Sequence, residues 1–221
     1  MKLQPIARKI NCKTCTHELL KKSSATNVLV CSFCNTINWL QNEPKSGKTV
    51  SGNPKNLLSI FQIGSQINDS LVQGEIIGFI ELLVNDSYAL LYQLKDEKGH
   101  IHWLLERHGH LNWFDQINQK AVRNAKISNP SSGKLFTLES VGDYKNFMTS
   151  KTTFLKKFDI FGEVWLPEEI ELQTKILEAY DEDGNCFFSF IFSSLSNLSV
   201  IGKSVIIPYS TIINPSFQLP E

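Results

Sequence analysis

Two groups of residues in this chain have the types and spacing to do chemistry. The first is four cysteines in two pairs, CKTC (Cys12, Cys15) and CSFC (Cys31, Cys34), with fifteen residues between the pairs. This is the spacing of a four-thiolate zinc site. Each CxxC turns tightly enough to aim two sulfurs at one ion. Two such turns complete a tetrahedron with Zn–S distances of about 2.3 Å. Four thiolates fill every coordination position, so no place remains for water or substrate, and such a zinc is structural. A redox CxxC instead stands alone in a βαβ setting, which is absent here. Turns of this kind often carry glycine just after the second cysteine, where the backbone goes left-handed. Here Thr16 and Asn35 hold those positions. Asn tolerates that conformation, and β-branched Thr does so poorly. The fifth cysteine, Cys186, lies in the apolar run NCFFSFIF and reads as a buried core thiol.

The second group is GHIHWLLERHGH, residues 99–110, which holds four of the five histidines. Alternate strand residues share a face, so His100, His102 and Glu106 could converge on a metal, as in the HxHx(3)E segment of cupins. That motif needs a further histidine from a later strand, and none follows His110. The same residues fit a half-buried strand. Ile101, Trp103 and Leu105 then face a core, and His100, His102 and Glu106 face water. This second reading is preferred; a cupin-like metal-dependent enzyme is kept as an alternative. A surface that titrates near neutrality is a third reading of the same histidines. Neither GxSxG nor HExxH occurs. NEPKSGKT (42–49) ends like a phosphate loop but has Asn42 in place of the first glycine, and no strand precedes it. The expected protein is not an enzyme and carries no catalytic residues.

The net charge is zero, with 22 basic and 22 acidic residues. Their distribution is lopsided. Residues 1–55 hold nine Lys/Arg against two acids, and residues 56–221 hold thirteen against twenty. A basic head on an acidic body points to an anionic partner for the head. Lys2 and the anion-binding candidates Arg8, Lys9, Lys13, Lys21 and Lys22 would serve nucleic acid or an anionic membrane surface. The alternative is that the head folds back on the body. No run approaches the ~18–20 apolar residues of a membrane span. The N-terminus lacks the apolar stretch of a signal peptide. The expected location is the cytoplasm.

These sites need elements to position them. Residues 1–40 read as a zinc ribbon. Residues 41–56, rich in Pro, Gly, Ser and Lys, read as a flexible linker. In residues 57–221, strand signals recur between turn formers: EIIGFIELLV, SYALLYQL, HIHWLL, KLFTLE, FDIFGEVWL, TKILEAY, NCFFSFIF and KSVIIPY. WFDQINQKAVRN (113–124) reads as a short helix or a loop. KDEKGHIHW (95–103) and YDEDGNCFF (180–188) align at an offset of 85 residues, which suggests two similar β-units over 57–126 and 145–210. The expected fold is mainly β: a zinc ribbon followed by an antiparallel sandwich or barrel-like domain.

Residues 57–210 resemble a bacterial family catalogued as domain of unknown function 4178. FQIGSQI, with Gly64, resembles its opening turn and strand, and GEIIGFIEL its glycine-centred strand. YALLYQLKDEKGHIHWLLERHG resembles its paired strands through Gly99, Trp103, Leu104 and Glu106. FGEVWLPEEI resembles its Gly-Glu-x-Pro segment, with an extra residue before Pro167. LSVIGKSVIIPYSTI resembles its closing strand through Gly202 and Val205. Members often begin with a double-CxxC ribbon, matching Cys12, Cys15, Cys31 and Cys34. The resemblance implies a fold and an accessory role near a membrane-stress system, and no reaction. The expected function is a zinc-ribbon adaptor that binds a protein partner. Nucleic-acid binding through the ribbon is the alternative.

Overall fold

A computed structural model describes residues 8–40, 59–84, 86–116, 132–140, 143–166, 174–191 and 198–215. The linker segment 41–56, the NEPKSGKT loop and Lys2 lie outside the described residues. Among those described there are fifteen strands, every pairing is antiparallel, and there is no α-helix.

The ribbon has two hairpins. β1 (Arg8–Asn11) pairs with β2 (Glu18–Lys21), and β3 (Val28–Val30) pairs with β4 (Ile37–Trp39). A short strand, β5 (Gln66–Asn68), then leads into a meander. It consists of β6 (Gln73–Val84), β7 (Ser87–Lys95), β8 (Ile101–Arg107) and β9 (His110–Gln116). After β10 (Leu135–Ser140) comes a second meander. It consists of β11 (Asp143–Val164), β12 (Lys175–Tyr180), β13 (Asn185–Ile191) and β14 (Leu198–Val205). The last strand, β15 (Ile212–Ile213), pairs with β5.

The two meanders join along both edges. β9 pairs with β14, and β6 pairs with β11. The result is a closed eight-stranded antiparallel barrel, so the mainly β expectation holds. Closure removes the exposed edges that an open sheet would present. Two aligned sequence segments occupy equivalent places. The β7–β8 turn has Gly99 N–H bonded to Asp96 O at 3.0 Å, with the His100 N–H donating to Asp96 Oδ1 at 2.8 Å. The β12–β13 turn repeats this with Gly184, Asp181 and Asn185 at 3.2 and 2.7 Å.

The barrel is filled by side chains. Strand alternation turns Ile80, Leu82, Leu91, Trp103, Leu105, Phe114, Phe188 and Phe190 into one buried cluster, with Cys186 among them. The opposite faces of the strands are also covered. Phe61, Ile67, Val72 and Ile212 lie over Leu90, Tyr92, Leu104 and Trp113. On the second meander, Phe136 and Leu138 of β10 join Phe147, Leu177 and Phe187.

Trp113 and Phe114 lie in β9, which corrects the helix-or-loop expectation at the start of 113–124. Residues 117–124 lie outside the described residues. The apolar spacing of WFDQ (113–116) does not alternate cleanly, but pairing with β8 on one side and β14 on the other holds these residues extended.

Candidate metal centre

The two CxxC turns come together in the ribbon. Cys12 Sγ is 3.6 Å from Cys34 Sγ, and Cys15 Sγ is 3.6 Å from Cys31 Sγ. All four sulfurs lie within 4.8 Å of one another. Sulfurs about 2.3 Å from a tetrahedral ion would stand about 3.8 Å apart, so the arrangement fits a bound metal ion. It is the one such group found among the described residues.

Both turns are built alike. The Thr16 N–H donates to Cys12 O at 3.0 Å and the Asn35 N–H to Cys31 O at 2.9 Å. Cys12 N–H reaches His17 O, and Cys31 N–H reaches Thr36 O, each at 2.9 Å. Thr16 and Asn35 have φ of 59° and 56°, so both stand in the left-handed region that the motif requires. Asn38 braces the cluster from β4. Its Oδ1 accepts the Lys13 N–H at 2.9 Å, and its Nδ2 donates to Leu29 O at 3.2 Å and Thr36 O at 3.0 Å. Without an ion the thiols cannot all ionise. The Cys15 N–H pulls the Cys12 thiol down to about 6. Cys15 itself has the His17 N–H in its favour, yet burial and the other sulfurs push it up to about 12. A cation relieves that conflict by neutralising the crowded sulfurs.

The ribbon is docked on the barrel through β3. Val28 and Leu29 pair with Val164 and Glu163 at the end of β11. Val28 and Ile37 belong to the barrel's buried cluster, with Val30 and Trp39 packed against it. The Glu163 carboxylate, 2% exposed, accepts the Lys22 N–H at 2.6 Å, the Ser23 N–H at 2.7 Å and the Thr26 hydroxyl. Asn27 and Leu166 exchange two hydrogen bonds, at 2.7 and 2.8 Å. Sequence reasoning missed Glu163, because nothing local links it to partners about 140 positions away.

The basic candidates are not one open patch. Lys9 pairs with Glu18 at 2.9 Å, and Lys22 pairs with Glu75 on the barrel. Arg8 and Lys21 are cross-strand neighbours, and Lys13 is exposed on the first turn.

The histidines do not assemble with Glu106. Trp103 and Leu105 enter the barrel, and His102 and Glu106 lie on the other face. His100 Nδ1 and His102 Nε2 both approach Asp96 Oδ2, at 3.1 and 3.4 Å. The His102 ring stacks on Trp113 with centroids 4.9 Å apart. Glu106 turns instead to Ser59 Oγ at 2.7 Å and Tyr92 Oη at 2.9 Å, both donating to it. His108 bonds Ser87 Oγ at 3.0 Å from the β8–β9 turn.

No family model matches the chain, and no curated protein or solved structure is significantly similar to it. No helix among the described residues is long and apolar enough to cross a membrane.

Proposed function

We propose that the chain is a non-enzymatic binding protein whose ribbon carries one structural zinc ion and whose barrel is a filled scaffold. The observation that carries this reading is the sulfur cluster. Its four sulfurs lie within 4.8 Å of one another, and as thiolates they would complete a tetrahedron around one ion and leave it no open position for substrate. A tetrahedral all-sulfur site suits zinc or iron, and zinc is redox-inert. The ribbon's own buried cluster is small, with Leu19 and Leu29 beside Cys12 and Cys31, so the ion supplies folding energy that apolar burial does not. Metal analysis of the full chain tests this. One zinc per chain is expected, and a metal-free chain with an intact ribbon would sink the proposal. The expected partner is another protein, and the ribbon's outward face is where it would dock.

One observation favours nucleic acid as a second reading. Phe33, 75% exposed, stacks on His17 with ring centroids 5.6 Å apart, on the same ribbon as Arg8, Lys13 and Lys21. Exposed rings beside basic residues suit single-stranded bases and phosphates. Titration with single-stranded DNA and RNA at two salt concentrations separates the readings. Affinity that falls steeply with salt and is lost in Phe33→Ala supports this one.

A further inference from the structure

We infer that metal occupancy of the ribbon and closure of the barrel are one linked equilibrium, with Glu163 as the coupling residue. The inference rests on the metal-ribbon reading above. β3 does two jobs within four residues. Val28 pairs with β11 and enters the barrel core, and Cys31, next after Val30, delivers a sulfur to the metal. The ribbon cannot hold that register by itself, since two of the four buried members of its own cluster are the ligands Cys12 and Cys31. Metal loss therefore releases β3.

Release reaches the barrel through Glu163. Its carboxylate is buried, and its donors are Lys22, Ser23 and Thr26 of the β2–β3 connection. A buried charge stripped of its hydrogen bonds is costly, so the end of β11 must move to water when that connection leaves. This end adjoins the β6–β11 seam, whose last pair is Gly162 with Gly78. Withdrawal of Val28 and Ile37 also uncovers Val164 and Leu166, which share their cluster. Metal release thus opens one end of the barrel and exposes apolar surface there. Linkage is reciprocal, so breaking the Glu163 contacts must weaken metal binding although Glu163 touches no sulfur.

The test uses the full chain. Zinc affinity is measured by competition with a chromogenic chelator for the wild type, Glu163→Gln and Thr26→Val. Amide hydrogen exchange is followed with and without zinc. Glu163→Gln is expected to lower zinc affinity between about fivefold and about 100-fold, and Thr26→Val less. Zinc removal is expected to speed exchange in 159–166 and 78–84 as well as in the ribbon. Unchanged affinity in a variant that keeps the wild-type near-UV circular dichroism overturns the coupling. So does faster exchange confined to residues 10–40. If Glu163→Gln does not fold, Thr26→Val decides. A wild-type chain that takes up no zinc overturns the metal reading and the coupling together.

Discussion

Gly78 and Gly162 stand opposite each other where β6 and β11 part company. A Cβ on Gly78 would lie 2.3 Å from the Glu163 carbonyl oxygen, and one on Gly162 would lie 2.6 Å from the Ile77 carbonyl oxygen. Gly162 also has φ of +69°, a conformation that favours glycine. This contact lets β11 leave the barrel seam and cross to β3. Gly78→Ala must push two backbones apart, with an expected loss of about 3 kcal/mol. A denaturant midpoint equal to the wild type's would show that the strands are not this close.

Thr16 is β-branched yet holds φ of 59°. Strain of this kind is worth about 1 kcal/mol or more. Thr16→Gly is therefore expected to tighten metal binding by roughly fivefold or more, since 1.4 kcal/mol is tenfold. Asn35→Gly should gain less, because Asn visits this region with a smaller penalty. Chelator competition reads both. Weaker binding by Thr16→Gly would mean that its hydroxyl, 2.7 Å from Cys15 O, matters more than the strain.

Cys31→Ser should abolish stoichiometric zinc uptake, and Cys186→Ala should leave it intact, because Cys186 sits in the barrel core with its thiol 3.3 Å from Asn112 Oδ1. Metal analysis of the two purified variants checks this. Equal zinc content would remove the cysteine cluster as the site.

Arg107 and Glu178 meet at 2.6 Å, with side chains 17% and 16% exposed. Removing one partner leaves the other charge poorly solvated. Arg107→Ala should cost about 3 kcal/mol, and the double variant Arg107→Met/Glu178→Leu should recover most of it. Equilibrium unfolding of the three proteins measures the difference. An unaltered single variant would place the pair in bulk solvent.

Asp96 responds to pH. Burial pushes its carboxyl up, but the His100 N–H and the imidazoles of His102 and His100 outweigh it and hold it below its ordinary value. A depressed carboxyl contributes stability above its unfolded pKa and loses it as pH falls through the folded one. Melting temperature should therefore drop on acidification below the ordinary carboxylate range, and Asp96→Asn should flatten that part of the profile. A parallel profile for the variant would assign the acid loss to other groups.

Much of the wall was legible because strand alternation is local. HIHWLLER shows Trp103 and Leu105 to the core and His102 to the other face without reference to any neighbour. The first half of β11 was not legible. Lys151, Thr152 and Thr153 carry little apolar signal, and the segment is extended because β12 pairs along it. The partners of the polar face were not legible either: the preferred reading sets His100, His102 and Glu106 toward water, but His102 stacks on Trp113 and Glu106 accepts from Ser59 and Tyr92. The histidine spacing permits convergence with Glu106, but Ser59 and Tyr92 claim that carboxylate and Asp96 claims the imidazoles.

The sequence by itself determined the four-cysteine cluster that could hold a metal ion, because the spacing within a CxxC turn is set within a few residues. It also determined that the chain is mainly β and where most turns fall, since both follow from short-range pattern. Only the tertiary structure decided that the sheet closes, through seams joining β6 to β11 and β9 to β14. Only the tertiary structure decided that the ribbon is built into the barrel end. Its hydrogen bonds to Glu163 link residues 137 to 141 positions apart. No local periodicity encodes such contacts. They form because a buried carboxylate and an uncovered barrel end each need a partner, and the β2–β3 connection supplies both.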